Sequence, residues 1–263
     1  MAARNLGSTG LPGGADSAGV PWEGRHFEES TWDDDDGAAP ERLVEALRRF
    51  RAGELAQADV VEAVRESRLL VPLIAELGES AENAHGHLVD KSQELSIVTV
   101  AGPDGRTVLP VFTSADAMLR WNPTARPVPA SAERVAIAAA SEATDLVVID
   151  PTAETEFVLR RPALWAIAQS LPWAPSFFDD EVLDAFVAIA RTEPQVTAIA
   201  LAPGDPGATL AGPELIVRLT LAAGLDRDRL SEVTARLRTL WSADALIASR
   251  VDSLGLKLVA ASQ

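Results

Sequence analysis

Apolar positions recur along this chain with two periods, and the switching between them outlines a layered fold. After Pro40, Leu43, Val44, Leu47 and Phe50 share one helical face while Arg48, Arg49 and Arg51 fall off it. Gly53 breaks that run, and a second short helix over about 58–67 turns Val60, Val61 and Val64 inward. RLLVPLIA, residues 68–75, then reads as a strand; because Pro72 cannot donate to a ladder, the expectation is an edge or bulged strand. Residues 76–92 are polar and broken by glycine, the pattern of a loop. Residues 93–114 hold two apolar runs, near 95–101 and 107–112, joined by Gly102-Pro103-Asp104-Gly105. Turn chemistry of that kind predicts a hairpin, and the near-continuous apolar runs predict strands covered on both faces. Thr113 and Ser114 have helix-capping side chains, with Asp116 at the capping-box distance from Thr113, and the helix they open ends at Trp121-Asn122-Pro123.

The same alternation continues with a short extended stretch at 126–130, a helix over 131–140, a buried strand at 146–150 and a second strand at 156–160. Pro162 then sits in the first turn of a helix reaching Gln169. LPWAPS, 171–176, is a proline-bracketed linker. Beyond it come a helix over 179–192, a strand at 196–202, a hairpin turn around 203–207, and a strand at 214–221. A helix over 226–241, a short helical segment and a last strand at 253–260 complete the pattern. The expected fold class is therefore α+β, layered: an N-terminal mixed-sheet domain with flanking helices over 40–172, plus a smaller α-β-β-α-β sandwich domain over 176–263.

Residues 1–39 have no sustained period and read as a disordered arm. Trp22, Phe27 and Trp32 are spaced among acids within it. Three readings stand for these aromatics: docking on the protein's own body or a neighbouring subunit, recognition of a partner, or plain solvated disorder.

Charge narrows the partners. The chain of 263 residues carries 39 acids against 23 bases, a formal net charge of −16, and the acid excess extends well beyond the arm. A body this acidic is repelled by phosphate backbones, which argues against nucleic acid and anionic membranes; it is compatible with a basic protein partner, though such acidity more simply keeps a protein in solution, and a homo-oligomer stays open as a separate reading. No apolar run approaches the roughly 20 residues a spanning helix needs. The start of the sequence lacks the apolar core of a secretory signal, and there is no cysteine, so the expected location is cytoplasmic and no thiolate chemistry is available.

Motifs for catalysis are missing. His85-Gly86-His87 has carboxylates nearby, but a flexible H-x-H loop fixes no third ligand, so an ordinary solvated loop explains it better than zinc. There is no G-x-S-x-G elbow and no phosphate-binding glycine loop. The sequence thus gives no catalytic residue, no metal site and no cofactor. Two polar clusters remain. Asp90 and Lys91 lead into the hairpin, in a chain with only one other lysine, and an ion pair or strand-end clamp is the simplest account of them. Arg160 and Arg161 precede Pro162, where positive charge opposes the helix dipole; a carboxylate partner is expected, either internal (Asp150 or Glu154) or on another molecule. Trp121 and Trp173, at a helix end and in the linker, are contact candidates, whereas Trp165 falls on an apolar helix face and is expected in the core.

RLLVPLIA, DKSQELSIVTVAGPDGRTVLPVFTS, MLRWNP, DLVVIDP and RPALWAIA together resemble the N-terminal domain of the SseB family over about 43–169, and 177–260 resembles the smaller C-terminal domain of many bacterial members. That resemblance implies a protein without established catalysis, named for a link to serine sensitivity, acting through protein contacts. The alternative is an enzyme or small-molecule sensor with a pocket between the two domains, using Lys91 and Arg161.

Overall fold

Helix α1 (Glu41–Arg51) buries Leu43, Ala46 and Leu47, with Glu41 in its first turn and Arg48, Arg49 and Arg51 in its last. This charge order suits the helix dipole. The helix stops because Gly53, at φ 74°, adopts the left-handed conformation, so that the N–H groups of Gly53 and Glu54 return to the carbonyls of Phe50 and Arg49. Helix α2 (Gln57–Arg65) buries Val60, Val61, Ala63 and Val64. The computed structural model describes residues 35–76, 94–141, 144 and 146–260, and those from Asp35 onward form one compact unit.

The next elements are β1 (Arg68–Glu76), β2 (Glu94–Ile97), β3 (Val100–Ala101), β4 (Thr107–Val111), α3 (Ala115–Trp121) and β5 (Arg126–Ser131). They are followed by α4 (Ala132–Ser141), β6 (Leu146–Ile149), β7 (Phe157–Arg160) and α5 (Arg161–Ala168). Two sheets result, of order β2-β1-β5 and β3-β4-β6-β7, the second containing the parallel pair β4–β6. Leu70 and Phe112 exchange both backbone hydrogen bonds, at 2.8 and 2.9 Å, which joins the sheets edge to edge.

β1 is thus central, against the expectation of an edge. Leu70 spends its hydrogen bonds on Phe112, so by antiparallel alternation Pro72, opposite Pro127, also points its nitrogen away from β5. It points beyond the end of β2, whose pairing with β1 begins at Leu73↔Ile97. Pro127 and Pro129 face outward from the edge strand β5, so none of the three prolines interrupts a ladder bond. The expected hairpin is also shorter than the apolar pattern implies. Its first run divides: β2 pairs with β1, and only Val100 and Ala101 pair with β4 across the 102–105 turn. Gly105, at φ 82°, supplies the turn's left-handed residue. β4 is covered from Val108 onward, but Ala101 is exposed.

Period-two alternation sorts the second sheet. Leu109, Val111, Val147, Ile149, Phe157 and Leu159 join the core under the helices, with Leu43, Val60, Val135 and Leu164. Val108, Leu146, Val148 and Val158 face the other way and meet Leu210. Ser114 caps α3 by accepting from Ala117 N–H. Thr113, expected to share that role, instead gives its N–H and hydroxyl to the buried Asp150, which also accepts from Thr155.

After residues 171–175 and a short 3-10 turn (Ser176–Phe178) come α6 (Asp180–Ala190), β8 (Val196–Pro203), β9 (Leu215–Leu221), α7 (Arg227–Ala243), α8 (Ala245–Arg250) and β10 (Leu254–Ala260). β9 is central, antiparallel to β8 and parallel to β10. A second core unites Val182, Phe186, Leu215, Val217, Leu219, Val233, Leu237 and Trp241. The turn expected at 203–207 is the start of a longer excursion over 204–214. That loop reaches the first half of the chain, where Ala208 accepts from Val158 N–H at 2.9 Å and closes the free edge of β7. Arg51 and Gln57 bind it too, through the carbonyls of Gly207 and Asp205. Ala208 and Leu210 have φ of 49° and 59°, a conformation costly for residues with a Cβ, which the docking of this loop sustains.

Candidate functional site

The end of β7 and the start of α5 place Arg160 and Arg161 where the two cores meet. Strand alternation puts Arg160 on the face of Val158, toward the 204–214 loop, with only 8% of its side chain exposed. It donates to Asp205 at 2.7 Å, to Asp252 at 3.0 Å, to Ser253 Oγ at 3.2 Å and to the Gly212 carbonyl at 2.9 Å. Arg160 has internal carboxylate partners, but they are Asp205 and Asp252 in place of the expected Asp150 or Glu154, and Arg161 binds backbone carbonyls instead. Asp150 is occupied by Thr113 and Thr155, and Glu154 makes no contact with either arginine.

Around this arginine the polar groups satisfy one another. Asp205 also accepts the N–H groups of Thr209 and Leu210, which shapes the loop. Asp252 takes Arg106, at 3.0 Å to each oxygen, and the Ser253 hydroxyl. Glu214, buried beside them, accepts from Ser176 Oγ and from Asp252 N–H, each at 2.6 Å. Burial raises the Glu214 carboxyl above its ordinary value, because its two hydrogen bonds only partly offset the lost hydration and Asp252 repels it. Ser176 and Glu214 are a hydroxyl and a carboxyl in contact, yet both are buried and no third group among the described residues completes a nucleophilic arrangement. This is a knot of the kind that fixes a junction.

Arg161 lies on the outside of the junction. Its guanidinium binds the Ala248 and Val251 carbonyls at 2.9 and 2.8 Å and stacks 5.3 Å from the Trp165 ring. Trp165 is 45% exposed, not core: α5 turns Ala163, Leu164 and Ile167 to the sheet, and a step of one residue carries position 165 to solvent. On the adjacent face Pro162, Ala166 and Gln169 line a groove of about 580 Å³. Leu171, Pro172 and Trp173 form its other apolar wall, and Asp179, Ser249 and Arg250 close it from the second half. Leu171 is 51% exposed, and Phe178, next to the Asp179 that caps α6, is 73% exposed. Arg250 is matched by Asp179 and Glu181, at 2.8 and 2.7 Å, while Asp180 and Asp184 remain exposed.

Trp121, the other contact candidate, is partly buried: its ring packs 5.3 Å from Phe112. Trp22, Phe27, Trp32, Asp90 and Lys91 lie outside the described residues, as do His26, His85 and His87. Among the described residues, no group of three acids or histidines is arranged to hold a metal, and no helix is long and apolar enough to cross a membrane. Sequence reasoning missed Asp205, Glu214 and Asp252. Asp205 sits among prolines and glycines that read as turn punctuation, and only the tertiary contact reveals its partner.

Residues 43–166 match the SseB protein N-terminal domain. Over this segment the chain belongs to the SseB family. The matched segment runs from α1 into α5 and stops before the linker, so only Pro162 and Ala166 of the groove lie within the match, and the rest of its lining lies beyond it. No curated protein and no solved structure matches the chain.

Proposed function

We propose that this SseB protein is a non-catalytic cytoplasmic binding protein whose groove beside α5 holds a protein segment with apolar side chains flanked by lysine or arginine. The supporting observation is the groove itself: Leu171 and Pro172 stand open to solvent beside Trp173, in a chain of net charge −16. Clustered exposed apolar groups mark contact sites on an otherwise charged surface. The acidic face of α6, with Asp180 and Asp184 exposed, steers a basic segment toward that wall. The Arg160 knot serves this reading indirectly, by fixing the two halves that form the groove.

The test is fluorescence anisotropy with two labelled synthetic peptides of identical apolar spacing, one flanked by lysines and the other by glutamates. The lysine peptide binds with an affinity that falls as salt rises, and Leu171→Glu abolishes the binding. Equal binding of both peptides, or binding unchanged by Leu171→Glu, contradicts the proposal. Self-association of the wild-type chain through this face, detected by sedimentation and lost in Leu171→Glu, also contradicts it.

A further inference from the structure

A second cavity, of about 390 Å³, opens on the other side of Arg161. Arg238, Trp241 and Ser242 line it from α7, their spacing of three and four placing them on one helix face, and residues 251–254 form part of the opposite wall. Its volume falls in the range of about 300–1,000 Å³ typical of small-ligand pockets.

Two arginines line this cavity. Trp241 is fully buried, its ring 5.1 Å from Phe186, and its Nε1–H has no hydrogen-bond partner. Arg161 Nε is buried and also without a partner, although its guanidinium is held in place by the Ala248 and Val251 carbonyls. Both donors are sealed from the cavity's open space, so what the cavity presents to a ligand is the outer guanidinium of Arg161 together with Arg238. Arg238 is exposed and makes no hydrogen bond or ion pair with any other described residue. The one acid on the wall, Asp252, is already taken by Arg106, Arg160 and Ser253. In a strongly acidic chain, two guanidiniums facing one cavity without a free carboxylate make a local anion site.

We propose that this cavity binds a small organic acid, its carboxylate or phosphate held by Arg161 and Arg238 beside the buried Trp241 indole. The site is independent of the α5 groove. It is tested on the full chain by following the assigned Trp241 indole N–H signal in ¹H–¹⁵N spectra while inorganic phosphate or succinate is added at constant ionic strength. A saturable shift with either probe supports the site, and the tighter probe identifies the group it prefers. Arg238→Gln, at an exposed position outside the core, keeps the native spectrum and weakens binding roughly ten- to a hundredfold, the loss of one charged hydrogen-bond donor. The absence of a saturable shift with both probes, or equal affinity in Arg238→Gln, overturns the proposal.

Discussion

Replacing Arg160 with alanine tests the junction at its centre. In the native protein the Arg160 side chain is 8% exposed, and Asp205 and Asp252 are 2% exposed. Asp252 keeps Arg106 and Ser253 after the substitution, but Asp205 keeps only backbone N–H groups. A buried carboxylate that loses its cation costs about 3–5 kcal/mol. Against a typical stability of about 5–15 kcal/mol this is a large fraction. With a urea m-value of about 2–3 kcal/mol/M, the unfolding midpoint drops by roughly 1–2.5 M, readable by tryptophan fluorescence. Much of the cost is the stranded charge, so adding Asp205→Asn to Arg160→Ala recovers part of the loss in a double-mutant cycle. A destabilisation below about 1 kcal/mol, or no recovery with Asp205→Asn, refutes the assignment of Arg160 as the tie between the halves.

Glu214→Gln removes a pH dependence of defined sign. Because the folded-state carboxyl is raised, its favourable contribution is complete below the ordinary glutamate value and is lost as pH rises through the elevated one; urea titrations across that window show wild type losing stability relative to Glu214→Gln. Glu193 is the opposite case: hydrogen bonding from Arg236 lowers its carboxyl, so its stabilisation is present above the ordinary value and lost as pH falls, a slope that Arg236→Gln flattens. Ser170 sits at φ 55° just past α5, where its N–H and that of Leu171 close the helix end onto Ile167 and Ala166, so Ser170→Gly raises stability by about 1 kcal/mol in thermal unfolding. Gly53→Ala, at the matching position after α1, lowers it by a similar amount, about 1 kcal/mol.

What the sequence revealed follows from how local each determinant is. β6, β7 and α5 are legible because alternation, Pro151 and Pro162 all act within a few residues. The place of β1 was not, since the effect of Pro72 depends on which neighbours its nitrogen faces, and Phe112 settles that from another strand. The double arginine was legible as a pair of cations needing partners. Asp205 and Asp252, however, lie 45 and 92 residues from Arg160, beyond any local pattern. Trp165 misled because both the buried and the open face of α5 are apolar; only the packed helix shows which residues meet the sheet. The groove was invisible for the same reason, being shared by α5, the linker and α8.

The central claim, that the groove beside α5 receives a basic, apolar protein segment, is tested most directly by photo-crosslinking. A lysine-flanked peptide carrying a benzophenone at its apolar position is irradiated with the full-length protein, and the attachment sites are mapped by mass spectrometry. Attachment concentrated at Leu171, Trp173 and Ser249, and lost in Leu171→Glu, is the predicted result. Attachment centred on the exposed Leu258 and Val259 of β10, or none above the unirradiated control, contradicts it.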